Sequence, residues 1–267
     1  ANIYGSRPPP HPHAEPRRNF GRGLPASSAL DWLAAGWADL RGHPGPSLAY
    51  GLLLTALSYA VLLLLHAAGL LYLAFPAISG FLIVGPFLAS GLYEKSRQRA
   101  AGKTATLAEM IALHPGSGAQ LAYAGLLLGI LVLFWIRAAD LLYALFFGLT
   151  RYPGADEAVI NVFTTVRGWS LIVTGTLVGG LFAAFAFAIS VFSVPMLVSS
   201  RRDALTAMGT SFAMTVQNLV PMLAWGAIVT AGLAISALTG LLALIVIFPV
   251  LGHGTWHAWR AIAQGEE

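Results

Sequence analysis

The chain has 267 residues, 57% of them apolar and only 10% charged, with a formal net charge of +4 and no cysteine. A soluble domain carries about 25% charged residues, so these few charges cannot coat a soluble particle, and a soluble enzyme, a disordered chain and a nucleic-acid binder are excluded. The missing cysteines exclude disulfides, thiolate metal sites and a Cys nucleophile.

In chain order, residues 1–26 are rich in Pro, Arg and His without an apolar core. They read as a solvated tail rather than a signal peptide. An amphipathic stretch follows, with Leu30, Leu33, Trp37 and Leu40 at helical spacing. Crossing a bilayer takes about 20 mostly apolar residues. Residues 47–93 hold no ionisable group besides tyrosines and His66, which leaves room for two spans with a turn near His66. A second amphipathic stretch (Leu107, Met110, Ile111, His114) leads into a third span within 119–150, interrupted by Arg137 and Asp140. Residues 169–199 are one apolar run, a fourth span. A third amphipathic stretch (Leu205, Met208, Phe212, Val216, Leu219) opens 219–252, read as two short spans with a break near 236–240. The expected fold is all-α: a polytopic membrane domain of six transmembrane helices over 27–262, with a short C-terminal tail, 263–267.

Six spans place both termini on one side of the membrane, together with the loops 94–118 and 200–218. Twelve of the 15 Lys and Arg fall on that side, against Arg151 and Arg167 opposite. By the positive-inside rule both termini are expected in the cytoplasm, in a bacterial inner membrane.

The chain also repeats itself. His43-Pro44-Gly45 precedes Leu48-Ala49-Tyr50-Gly51, and His114-Pro115-Gly116 precedes Leu121-Ala122-Tyr123-Ala124; a weaker copy reads Leu223-Ala224-Trp225-Gly226. The returning helices match as Gly85-Pro86-Phe87-Leu88, Val194-Pro195-Met196-Leu197 and Phe248-Pro249-Val250-Leu251. Three units are expected, about 27–99, 104–202 and 203–262, each an interfacial amphipathic helix followed by a transmembrane hairpin. Pro86, Pro195 and Pro249 are expected to kink the even-numbered helices, with neighbours satisfying the freed carbonyls. Gly125-x-x-x-Gly129 and Gly175-x-x-x-Gly179 are expected to pack within the bundle.

Arg137 and Asp140 share a helix face at i,i+3. Their register puts them about 27 Å along their helix, at the far interface, as an interfacial ion pair beside Trp135 and Tyr143. His253 and His257 at i,i+4 have a spacing that can chelate a metal. No carboxylate stands near them in sequence except Glu266 and Glu267, so no metal site is expected there. HExxH, Walker and G-x-S-x-G patterns are missing, as is a pair of intramembrane aspartates. An enzyme is therefore not expected, and no catalytic or cofactor-binding residue is assigned; a bound lipid is.

The chain resembles a family of bacterial integral membrane proteins known only as a domain of unknown function. The likeness rests on Gly80-Phe81 with Gly85-Pro86, on Gly91-Leu92-Tyr93-Glu94, and on the closing Gly252-His253-Gly254-Thr255-Trp256-His257-Ala258-Trp259-Arg260. It covers roughly residues 28–262. It implies no activity, so it transfers no functional residue. A more distant likeness, to mitochondrial carriers, is limited to three hairpins with amphipathic helices on one side; the prolines here are on the even spans and the carriers' acid–base pattern is missing.

The leading functional expectation is a non-catalytic accessory or assembly subunit of a larger membrane complex, in a respiratory or photosynthetic electron-transfer chain. Its partners would be the lipid bilayer and other membrane subunits, and no nucleic acid. Arg17, Arg18 and Trp32, lying off the amphipathic stripe, are the expected docking residues. The alternative is a small-solute channel or carrier with a threefold pseudo-symmetric pore lined by Thr55, Ser58, Thr174, Ser190 and Ser193.

Overall fold

A computed structural model describes residues 19–70, 73–112, 118–148 and 155–263. Arg17, Arg18, His114, Arg151 and most of both tails lie outside the described residues. The described elements are helices: α1 (Ser28–Gly42), α2 (Pro44–Ala67), α3 (Ala74–Leu88), α4 (Ser90–Ala100), α5 (Leu107–Ile111), α6 (Gly118–Phe147), α7 (Ala155–Thr164), α8 (Val166–Ser190), α9 (Ser193–Ser199), α10 (Ala204–Gln217), α11 (Leu219–Leu238) and α12 (Leu244–Ala263). The chain is a polytopic all-α membrane protein.

Five stretches among the described residues are long and apolar enough to cross a bilayer: Pro44–Ala67, Pro76–Ala100, Gly118–Phe147, Val166–Ser199 and Leu219–Leu238. The sixth expected span, α12, is not among them. Its first half is apolar, but His253, His257 and Arg260 fall in its second half, where each polar side chain costs a helix dearly in hydrocarbon. Short helices α1, α5 and α10 precede α2, α6 and α11, at what we call the polar end of the bundle. Side chains cap two of these three: Thr106 and Glu109 form a reciprocal capping box on α5, and Asp203 accepts from Thr206 N at 2.8 Å on α10.

The apolar stripes expected on the short helices are divided between lipid and protein: Leu40, Met110 and Met208 are buried, while Leu30, Trp37, Ile111, Leu205, Phe212 and Val216 are exposed. On α1, Leu30 and Trp37 are exposed, while Ala29, Trp32, Gly36, Asp39 and Leu40 are buried. On α10, Leu205, Phe212, Val216 and the neighbouring Leu219 are exposed, while Ala204, Ala207, Ser211 and Thr215 are buried with Met208 and Met214. The physical reason is the solvent. Lipid is as apolar as leucine, so bulky side chains gain nothing by turning inward, and small residues that let backbones meet take the protein face. Trp32, expected at a partner surface, is 5% exposed and packs edge-on against Trp225 with ring centroids 6.1 Å apart. The chain buries it without a partner. Residues before α1 are also held within the chain: Phe20 N donates to Gln217 Oε1 at 2.6 Å, Asn218 Nδ2 to Phe20 O at 2.8 Å, and Arg22 Nε to Ile262 O at 2.9 Å.

The three prolines behave differently. Around Pro86 the helix is interrupted at Ala89, between α3 and α4, and Leu88 O accepts from Tyr50 Oη at 2.7 Å. Near Pro195 the interruption falls between α8 and α9. There Ser211 of α10 enters the ladder, accepting from Phe192 N at 3.1 Å and donating to Ala188 O at 2.7 Å. Through Pro249, α12 runs on as one uninterrupted helix. Its missing N–H frees the carbonyl of Ile245, against which Gly51 of α2 is packed so closely that a Cβ would collide with it. Ser211→Ala should strand the buried Phe192 N–H and leave Ala188 O only the long bond from Thr215 Oγ1 at 3.5 Å, at a cost of about 1–3 kcal/mol. Thermal unfolding in detergent reads this; an unchanged midpoint would mean that water or Thr215 replaces the hydroxyl.

Of the small-residue motifs, Gly125 abuts Phe87 and Gly179 abuts the Trp135 ring, where a Cβ would come within 2.6 and 2.7 Å respectively. Gly129 and Gly175 have nothing within 4 Å of a Cβ position.

Candidate functional site

Two features stand out: a polar network at the polar end and an apolar cavity in the bundle.

The network joins four helices. Asp39 of α1 is brought to α12 and α4 because Gly36, one turn earlier, lets α1 lie directly on the backbone of Val250 and Gly254. Asp39 Oδ2 accepts from His257 Nε2 at 3.0 Å and from Ser96 Oγ at 2.6 Å, and Oδ1 accepts from Arg99 Nε at 3.0 Å. Ser96 Oγ also lies 2.7 Å from His253 Nδ1, and Ser47 Oγ of α2 lies 2.9 Å from His253 Nε2. Lys95 Nζ donates to Ser47 Oγ and to the carbonyl of His43, which ends α1. Lys95, Ser96, Ser47 and His253 are at most 3% exposed. Burial pushes the Asp39 carboxyl up, but the hydrogen bonds from His257 and Ser96, with the charge of His257, outweigh it and hold it below the ordinary value.

His257 thus takes its carboxylate from 218 residues away, and His253 reaches the same carboxylate only through Ser96. Both rings are engaged in hydrogen bonds, and among the described residues no group of three or more His, Cys, Asp or Glu is placed to hold a metal ion. Sequence periodicity missed Asp39, Ser47, Lys95 and Ser96. The available signal was the small-residue face of α1: Ala29, Trp32, Gly36 and Asp39 follow one another at i,i+3 or i,i+4.

The cavity has a volume of about 1560 Å³ and is lined by α3, α6, α8, α11 and α12, chiefly with apolar atoms. Its lining runs from Leu171 to Ala188 on α8, about 25 Å at ~1.5 Å per residue. That is most of a ~30 Å hydrocarbon core. At its edge Thr176 and Gly180 on α8, and Ala227 and Thr230 on α11, are exposed in mid-span, so it opens sideways. Gly175, Gly179 and Ala183 face Gly226 and Ala227 as lining residues of α8 and α11.

Arg137 and Asp140 do pair, at 3.2 Å, with the arginine side chain largely exposed, and Asp140 lines one end of the cavity. Trp135 is not an outward-facing belt residue. It is 6% exposed, and its Nε1 donates to Pro76 O at 3.2 Å and Ser79 Oγ at 3.0 Å. The five hydroxyls of the expected pore do not line the cavity. Thr55, Ser58 and Ser190 bond back to the carbonyls of Gly51, Leu54 and Ala186 in their own helices, so these hydroxyls are not presented to a solute.

Residues 74–199 match the family model described as a predicted integral membrane protein, DUF2189. The match takes in the cavity walls from α3, α6 and α8 and the network residues Lys95, Ser96 and Arg99. It leaves α1, α2 and α10 to α12 outside, including the closing run from Gly252 to Arg260. No curated protein and no solved structure matches the chain.

Proposed function

We propose that this integral membrane protein is a non-catalytic accessory or assembly subunit of a larger membrane complex, and that the sideways cavity seats a transmembrane helix of a neighbouring subunit. The supporting observation is the cavity's depth and girth. A helix about 10 Å across and 25 Å long fills about 2000 Å³, so a space of about 1560 Å³ takes in most of it and leaves one side to lipid. Small-molecule sites are smaller, about 300–1,000 Å³, and an acyl chain from one leaflet reaches only to mid-membrane. When the partner is absent, bilayer lipid fills the space. The electron-transfer setting and the bacterial inner membrane expected from the sequence belong to this proposal as its first places to look.

A photo-crosslinking residue at Thr176 or Thr230, activated in native membranes, should give a discrete protein adduct on mild extraction. Gly175→Leu, whose side chain enters open space in the cavity, should leave the protein folded and abolish that adduct. Lipid adducts alone would remove the helix-seat reading. Solute uptake by proteoliposomes of the isolated protein would put the carrier reading in its place.

The orientation carries its own test. With both termini in the cytoplasm, a cysteine at Glu157 should react with an impermeant reagent added outside whole cells, and one at Ala101 should not. The reverse pattern inverts the topology.

A further inference from the structure

We propose that Lys95, Ser47, His253, Ser96 and Asp39 form a proton relay connecting a buried amine to a buried carboxylate through a neutral imidazole. The inference rests on hydrogen-bond counting alone and is independent of the helix-seat reading.

Each hydroxyl has one proton to give. Ser47 Oγ receives a hydrogen bond from the Lys95 ammonium, so its own proton points at His253 Nε2, 2.9 Å away. Nε2 is then an acceptor, and the ring of a neutral histidine carries its proton on Nδ1. Nδ1–H faces Ser96 Oγ at 2.7 Å, which leaves the Ser96 proton for Asp39 Oδ2 at 2.6 Å. Every donor therefore points the same way, from Lys95 to Asp39, and each hydroxyl proton and the ring proton has an acceptor within the row. An imidazolium would break this order, because both ring nitrogens would then donate and the Ser47 proton would have no acceptor at His253.

The same heavy atoms accept one other complete arrangement. Lys95 passes a proton to Ser47 as Ser47 passes its own to Nε2, while Nδ1 passes its proton to Ser96 and Ser96 passes its own to Asp39. Four N–H or O–H bonds break and four form, and the net result moves one proton from ammonium to carboxyl, leaving both neutral. No atom other than hydrogen has to move. Arg99 at 3.0 Å from Oδ1 and His257 at 3.0 Å from Oδ2 donate to Asp39 and favour its charged form, and the His43 carbonyl favours charged Lys95, so the charge-separated arrangement is the resting one. His257, about a third exposed at its side chain, and the half-exposed Arg99 are where the row meets water. Lys95, only 3% exposed, is reached through it. An ionisable group buried at a membrane boundary with a continuous partner chain is the usual form of a proton pathway.

The test is nitrogen-15 NMR of the full-length protein in nanodiscs, with the His253 signals assigned by their loss in His253→Gln. In the wild type His253 should be neutral with its proton on Nδ1, and Lys95 should be an ammonium. In Asp39→Asn the amide oxygen takes the Oδ1 place and accepts from Arg99, and the amide N–H2 takes the Oδ2 place and donates to Ser96 and to the neutral His257 ring. The row should then reverse: the His253 proton moves to Nε2 and Lys95 shifts to the amine position, and adding Ser47→Ala should abolish the Lys95 shift alone. A wild-type imidazolium, a wild-type Nε2–H tautomer, or a Lys95 signal indifferent to Asp39→Asn would each overturn the relay. If Asp39→Asn fails to fold, the wild-type tautomer decides.

Discussion

Gly36→Ala and Gly51→Ala, each the addition of one methyl group, should destabilise the protein by about 3 kcal/mol, as much as many truncations of a large core side chain. A Cβ on Gly36 would run into Val250 O and stand 2.6 Å from Gly254 N and 3.0 Å from Gly254 Cα. A Cβ on Gly51 would run into Ile245 O and stand 2.9 Å from Ile245 C. In both cases the obstacle is backbone of α12, which cannot rotate aside as a side chain does, so α1 or α2 must lift away from it. Overpacking costs typically about 1–3 kcal/mol, and rigid obstacles belong at the upper end. Lifting α1 also pulls Asp39 from His257 and Trp32 from Trp225. Gly129→Ala is the control: nothing lies within 4 Å of its Cβ position, and within α6 the change should gain up to about 1 kcal/mol of helix propensity. Unfolding midpoints in detergent for the three variants check this. Equal midpoints for Gly36→Ala and Gly129→Ala would show that α1 does not lie on α12 as described.

The class of the fold was legible in the sequence because it rests on bulk properties. Runs such as 119–150 and 169–199 can only be spans, and α6 and α8 occupy them. Periodicity marked the amphipathic stretches but not which of their residues meet protein. The residues it picks out on α1 include Leu30, Leu33 and Trp37. At a membrane surface there are two apolar environments, and the one made of protein selects for Ala29, Gly36 and Asp39, which allow contact and hydrogen bonding. Trp32 lies on that protein-facing side, packed against Trp225, rather than at a partner surface. The sixth expected span is apolar over only half of its helix. Residues 244–251 are as apolar as any span, but the helix continues into a polar run that the chain itself covers, with His253 wholly buried.

The network was illegible for a different reason: its members come from residues 39, 47, 95–99 and 253–257, and no local pattern links them. His253 and His257 drew attention through their spacing, yet no nearby carboxylate was visible in the sequence because the one His257 bonds arrives on α1. The cavity is likewise not a sequence feature. Its glycines and alanines look like any close-packing motif, and only the helix positions show that Gly179 is packed against Trp135 while Gly175 faces open space.

Asp39→Ala should be the most damaging single change in the network. It leaves Arg99, His257 and Ser96 without their shared acceptor, and removing one partner of a buried charged pair costs about 3–5 kcal/mol; with Arg99 and His257 partly exposed, about 3 kcal/mol is the expected loss. Acid should reveal the same interaction without mutation. Asp39 is held below its ordinary value of 3.8 in the folded chain. The unfolded chain therefore takes up the proton first as pH falls, and the stability from this carboxylate, fully present well above that value, is lost on passing down through the lowered one. Midpoints of the wild type should hold from neutral pH to about pH 5 and then fall, and Asp39→Asn, with no proton to take up at this position, should fall less steeply over the same range. Parallel curves for the two proteins would mean that Asp39 is not ionised in the fold, and with that the resting direction of the hydrogen-bond row from Lys95 would have to be reversed.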